Sequence, residues 1–157
     1  MSDFEPLDIR PLEVSDLDSL LALYRELHQA DAPLPESAIV ASAWYDILHD
    51  PRMYSLGGFL EQTLVSSCQL VIVPNLTRGC RPYGLIENVV TAAYHRKRGY
   101  ASELLEHALS VAWQHNCYKV MLQTGRKDEA TLHFYESAGF DRHTKQAFYV
   151  AAPQDKA

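Results

Sequence analysis

Two rhythms of apolar positions run through the chain. Leu17, Leu20, Leu21, Leu23, Tyr24 and Leu27 recur near helical spacing behind Ser15-Asp16-Leu17-Asp18, which reads as a capping box. A first helix is therefore expected to about His28. Pro33 and Pro35 break the chain, and a second helix is expected from about Glu36 to His49, stopped by Pro51. Strand-like runs cover Asp8 to Pro11, Met53 to Leu60, Leu64 to Val73 and Tyr83 to Thr91, with a tight hairpin at Glu61-Gln62-Thr63. The strongest helical pattern runs from Gly99 to about Asn116, with Ala101, Leu104, Leu105, Ala108, Leu109 and Ala112 on one face. Tyr118 to Thr124 reads as a short buried strand. Asp128 is expected to cap a last helix to about Ala138, with Gly139 as its left-handed stop. Phe140 onward and Gln146 to Val150 read as two final strands.

A strand–helix–strand unit inside an otherwise hairpin-connected series predicts a mixed α/β fold. The expected architecture is a mostly antiparallel, twisted sheet of about seven strands flanked by about four helices. The length of 157 residues predicts one domain over 1–157. Net charge is −6, from 14 Lys+Arg against 20 Asp+Glu, so no nucleic-acid partner is expected. No apolar run is long enough to span a bilayer, and the acidic start lacks a signal-peptide layout, so a cytoplasmic location without a membrane partner is expected. Three widely spaced cysteines form no disulfide framework, and seven histidines show no H-E-x-x-H pattern, so no metal site is expected.

The chemistry concentrates between Glu87 and Gly99. A strand leads through Tyr94-His95-Arg96-Lys97-Arg98-Gly99 directly into the best helix. Unpaired N–H groups at a helix start, the helix dipole, small Gly99 and Ala101, and three cations make a recipe for a phosphate or pyrophosphate site. The alternative is a solvated basic turn that merely starts a helix. The spacing differs from a Walker A loop and lacks the three glycines of a dinucleotide fingerprint.

Arg96-x-x-Gly99-x-Ala101 resembles the [QR]-x-x-G-x-[GA] loop of the GNAT superfamily of N-acetyltransferases, and Phe134-Tyr135-Glu136-Ser137-Ala138-Gly139-Phe140 resembles their F-Y-E-x-x-G-F segment. The order of elements fits the same superfamily. Within it, Ile86-Glu87-Asn88-Val89-Val90 and Cys117-Tyr118-Lys119 resemble the I-E-D-V-V and C-Y-K of glucosamine-6-phosphate acetyltransferases. The chain departs at Asn88, where Asp is usual, at Leu122-Gln123-Thr124-Gly125, and at Asp128, where many members carry Asn.

The resemblance implies the GNAT fold and acetyl-CoA as the donor. It implies that Arg96, Lys97, Arg98, Gly99, Tyr100, Ala101 and Ser102 hold the pyrophosphate. The backbone of Val89, Val90 and Thr91 would bond the pantetheine arm like an added strand, beside a bulge that splays the sheet. It also implies Tyr135 as the acid that protonates the leaving thiolate; the alternative is a tyrosine packed beside Phe134. An alkyl amine with a pKa of about 10 must lose a proton before it attacks, and Glu87 is the candidate base. Regular alternation would put Glu87 and Val89 on one face and Asn88 and Val90 on the other. The alternative for Glu87 is a salt bridge to Arg78 or Arg81.

The expected function is transfer of an acetyl group to a primary amine of a small molecule by direct attack in a ternary complex. An acidic acceptor, such as an amino-sugar phosphate or aminoalkylphosphonate, would engage Arg78 and Arg81; otherwise these sit in an exposed loop. The early helices, with Tyr24, His28, Trp44 and Tyr45, form part of the acceptor wall in the superfamily, or serve as core and dimer contacts. Two further readings stand beside this one: a protein acetyltransferase acting on a Lys or N-terminal amine, and a non-catalytic acyl-CoA-binding sensor. A homodimer is expected by analogy, with Phe140 to Val150 as its surface.

Overall fold

The computed structural model describes Phe4 to Asp155. The chain divides into two compact units, one ending at Gln123 and the other beginning at Thr124. The first holds a sheet of five strands: β1 (Asp8–Pro11), β2 (Met53–Leu60), β3 (Thr63–Val73), β4 (Tyr83–Thr91) and β5 (Val120–Leu122). They lie in chain order across the sheet. The first three pairings are antiparallel and β4–β5 is parallel. The parallel pair is joined through the helix that the periodicity favoured most, as a crossover requires.

The first unit also carries α1 (Leu17–Leu27), α2 (Ser37–His49) and α3 (Tyr100–Gln114). Cross-strand register divides the sheet into two faces. On one face Leu12, Leu20, Leu23, Trp44, Phe59, Leu64 and Val90 form a core with α1 and α2. Gly57 sits on this face because a Cβ there would collide with Leu12. On the other face Leu56, Leu70 and Ile86 are buried, and α3, with buried Leu104 and Leu105, packs on β3 and β4. The buried hydroxyls of Ser66 and Ser67 are satisfied by Val90 O at 3.0 Å and Leu56 O at 2.9 Å.

The second unit holds α4 (Glu129–Ser137). Asp128 caps it by accepting the Thr131 N–H at 3.0 Å, and Gly139 follows at φ +96° as the left-handed stop. Arg142 bonds Glu136 through two contacts of 2.8 Å and also reaches Glu129, tying both ends of α4 to one guanidinium.

The fold is the expected mixed α/β arrangement, with five strands where about seven were expected. No strand follows Leu122 among the described residues. Phe148, Tyr149 and Val150 are strand formers by composition, yet they stand 92%, 86% and 83% exposed. Strand propensity measures the fit to a half-buried sheet, and composition alone does not form one. The first cap also differs. A single 3₁₀ turn, Val14–Asp16, precedes α1, and the Glu13 N–H donates to Asp16 Oδ2 at 2.7 Å. The reciprocal pair is thus Glu13 and Asp16, two residues earlier than Ser15 and Asp18.

Candidate active site

The site starts from one residue. Asn88 has φ +55° inside β4, a conformation that asparagine tolerates better than most side chains. The ladder to β3 pairs Gln69 with Glu87 and Ser67 with Val90, so Cys68 faces two residues, Asn88 and Val89. This is a β-bulge. Gln69 and Ser67 are two apart and share a face, so Glu87 and Val90 share it too. The alternation expected from the sequence is therefore broken: Val89, not Val90, turns away from Glu87. The extra residue is the physical reason.

Pairing on the opposite edge of β4 stops at the same place. β5 matches Gly84, Leu85 and Ile86 and goes no further. From Glu87 to Thr91 this edge has no partner strand among the described residues, which leaves backbone donors and acceptors available to an extended ligand. The other edge stays locked: the Ser66 hydroxyl meets Val90 O and the Thr91 hydroxyl, and Ala92 N–H bonds Val65 O at 2.8 Å.

The strand then runs through a 3₁₀ turn, Ala93–His95, into α3. Lys97 and Gly99 are both left-handed, at φ +61° and +87°. Gly99 is the N-cap of α3 and supplies no side-chain cap, so the first N–H groups of the helix face the loop. A Cβ built on Gly99 meets nothing within 4 Å, which leaves room for close approach of a ligand to the backbone. Arg96 and Lys97 are exposed. Arg96 Nε donates to Thr91 O at 3.1 Å, and Arg98 lies 5.3 Å from the Phe4 ring centroid. Tyr100 is 3% exposed, so only its backbone faces the loop. Concave geometry, free N–H groups and cations together suit a pyrophosphate.

Beside the bulge, α1, α2 and the sheet line an open cavity of about 240 Å³. Asn88 and Gln69 line its sheet side, and Tyr24 its α1 side. The Tyr24 hydroxyl is hydrogen-bonded to the Asn88 side chain, and burial raises its pKa. Trp44 lines the α2 side. Tyr45 instead stacks on His49 at 3.8 Å and is mostly exposed, while His28 ends α1. Glu87 is exposed, lies directly across from Gln69, and forms no ion pair among the described residues.

Arg78 and Arg81 lie before the other end of β4. Arg81 donates to the carbonyls of Asn116 and Cys117 at 3.3 and 3.2 Å, and Arg78 stands 5.6 Å from the Tyr118 ring centroid. Four residues of strand, about 13 Å, separate Tyr83 from Glu87. The two arginines are thus not brought to the bulge. Burial pushes the Cys68 thiol up to about 12 and also raises Cys117, so neither is poised as a thiolate nucleophile.

Within the second unit, Tyr135 is half-buried on α4, 5.0 Å from Phe134 and edge-on to Phe140 at 6.3 Å.

Residues 17–140 match the acetyltransferase (GNAT) family. The chain belongs to that family. GNAT acetyltransferases use acetyl-CoA as cosubstrate, and both the open β4 edge and the loop before α3 suit that donor. The chain is 34% identical to a glucosamine 6-phosphate N-acetyltransferase of Trypanosoma brucei brucei, over 93% of this chain and 97% of that one. It is 27% identical to yeast N-alpha-acetyltransferase 30, over 93% of this chain and 80% of that one. A solved acetyltransferase structure from Agrobacterium tumefaciens superposes with a TM-score of 0.87 at 39% identity, covering 92% of this chain and 99% of that one.

Sequence reasoning pointed to the loop and the strand edge as donor-binding candidates and did not place Gln69, Ser55 and Asn88 around the cavity. The signal for Asn88 was present: an asparagine inside a strand-like run is a candidate for a positive φ.

Proposed function

We propose that the protein transfers the acetyl group of acetyl-CoA to a primary amine of a small molecule by direct attack in a ternary complex. The observation that carries this reading is the continuity at the carboxyl end of β4, where an unpaired strand edge leads into an uncapped helix start beside Arg96, Lys97 and Arg98. The donor supplies an activated thioester. In this reading Val89, Val90 and Thr91 hold its pantetheine arm through their backbone. The three cations and the N–H groups of Gly99, Tyr100, Ala101 and Ser102 hold its pyrophosphate.

Glu87 takes the proton from the acceptor ammonium; its lack of an ion pair and its position across from Gln69 support that role. The freed nitrogen forms the new C–N bond as the C–S bond breaks. Tyr135 gives its phenolic proton to the departing sulfur and regains one from the acylated nitrogen, a role supported by its match to the family's tyrosine. Orientation of the two reactants supplies much of the rate. The chain acts as a homodimer in the cytoplasm; three free cysteines support a reducing compartment.

The similarity to the trypanosomal enzyme favours a second reading of the acceptor, an acidic amine such as glucosamine 6-phosphate or an aminoalkylphosphonate. The yeast relative likewise favours a protein N-terminal amine. One experiment separates these. Free-thiol release from acetyl-CoA is followed against amino-sugar phosphates, aminoalkylphosphonates, polyamines, aminoglycosides, hydrophobic amines and a peptide. A saturable signal on one class is expected. Tyr135→Phe lowers its turnover by about 100-fold while leaving donor affinity unchanged. Unchanged turnover would remove the acid role, and donor binding without release on any amine would favour a sensor.

A further inference from the structure

The cavity beside the bulge has a chemistry of its own. None of its lining residues, as described, is charged. Leu20, Ile39, Ile47 and the Trp44 ring give it an apolar wall, and its polar groups gather at the sheet side, where Asn88 and Gln69 lie beside Glu87. Trp44 is 5% exposed and holds its ring against this wall.

A phosphate here would lose its hydration without meeting a cation, since Arg78 and Arg81 stand at the other end of β4 and Arg81 is engaged with backbone carbonyls. An apolar skeleton would gain from the same wall. The volume lies below the roughly 300–1,000 Å³ of drug-sized pockets, so a single ring or a short branched chain suits it.

We propose that this cavity seats the body of the acceptor, and that the acceptor is a primary amine on a compact, uncharged, largely apolar skeleton. Its nitrogen emerges at the Asn88–Glu87 end. This rests on the transferase reading above and names its substrate class.

The test uses phenethylamine and glucosamine 6-phosphate as matched probes on the full chain, with two readouts. The first is thiol release from acetyl-CoA. The second is emission from Trp44, isolated by Trp113→Phe, which replaces the half-exposed tryptophan on α3. Expected results are a kcat/KM for phenethylamine at least about tenfold above that for glucosamine 6-phosphate, and a saturable change in Trp44 emission. Ala43→Leu adds bulk at an exposed position on the cavity wall, where folding is not at stake. It raises KM for phenethylamine about tenfold and leaves that for acetyl-CoA unchanged. Preference for glucosamine 6-phosphate overturns the proposal. So does Trp44 emission that stays fixed in excess phenethylamine, whether or not transfer is seen. A saturable Trp44 response without thiol release from any amine supports the cavity assignment and sinks the transferase reading alone.

Discussion

Asn88 is where one residue decides the geometry of the site. Its positive φ creates the bulge that leaves Glu87 and Val90 on the α1/α2 face, and its side chain meets the Tyr24 hydroxyl at the cavity. The left-handed region costs an ordinary L-residue about 1–2 kcal/mol, and a β-branched one is the least suited. Asn88→Gly keeps the conformation and loses the bond to Tyr24. Asn88→Val must either carry the strain or slip into regular alternation, which would move Val90 to the opposite face from Glu87. Urea midpoints are expected near wild type for glycine and lower by the equivalent of about 1–2 kcal/mol for valine. Acetyl transfer falls further in valine than in glycine. Equal stability of the two variants would mean that the positive φ is not held in solution.

At the scale of elements, the joint between β1 and α1 rests on a nearly buried carboxylate. Asp16 accepts Arg10 at 2.8 and 3.1 Å and the Glu13 N–H at 2.7 Å, while the Arg10 guanidinium lies 4.0 Å from the Phe59 ring centroid. The hydrogen bond from Arg10 is the largest influence on Asp16 and holds its carboxyl below the ordinary 3.8, against the opposing effect of burial. A depressed folded-state pKa stabilises the fold above the unfolded value, and that contribution is lost as pH falls through the folded one. Stability is therefore expected to drop below about pH 4. Asp16→Asn costs about 1–2 kcal/mol at pH 7 and makes the acid limb shallower, measured by urea unfolding at several pH values. An unaltered acid limb would assign it to other carboxylates. This joint also marks what the sequence could reveal. The leucine spacing located α1, and strand-like runs, apolar and aromatic in β2 and β-branched in β4, located those two strands with their observed ends. The cap fell on Glu13 and Asp16 because a 3₁₀ turn precedes the helix, and periodicity carries no sign of such a turn. R-x-x-G-x-A marked the loop because its chemistry is local. The cavity was hidden because its apolar residues follow the same stripe as any core-facing helix, and only the packing of α1, α2 and the sheet distinguishes a void from a core. The two final strands failed for a related reason: a strand needs an edge, and composition cannot supply one.

At the scale of the whole molecule, two surfaces bear on association. Phe148, Tyr149 and Val150 expose three consecutive large hydrophobic side chains, a liability for a monomer and a natural seat for a second copy. Sedimentation is expected to give twice the 17.8 kDa chain mass, and Phe148→Asp with Tyr149→Asp to return it to one; an unaltered mass would locate the dimer contact elsewhere or exclude a dimer. The second surface is the donor loop, where two electrostatic effects oppose each other. The net charge of −6 repels an anionic donor at long range, and Arg96, Lys97 and Arg98 attract it at contact. Salt screens both, with a Debye length of about 8 Å at physiological ionic strength. The acidic groups are spread over the surface, and beyond that length their repulsion is already weak at 0.15 M. The loop cations act at a few ångströms and dominate what remains. Donor affinity is therefore expected to fall as NaCl rises from about 0.05 to 0.5 M. Arg96→Ala with Arg98→Ala should weaken binding most at low salt and flatten the dependence. Were the net charge in control, affinity would rise with salt and the double variant would keep the wild-type slope. Calorimetric titration of acetyl-CoA at three salt concentrations decides between the two, because the sign of the slope differs.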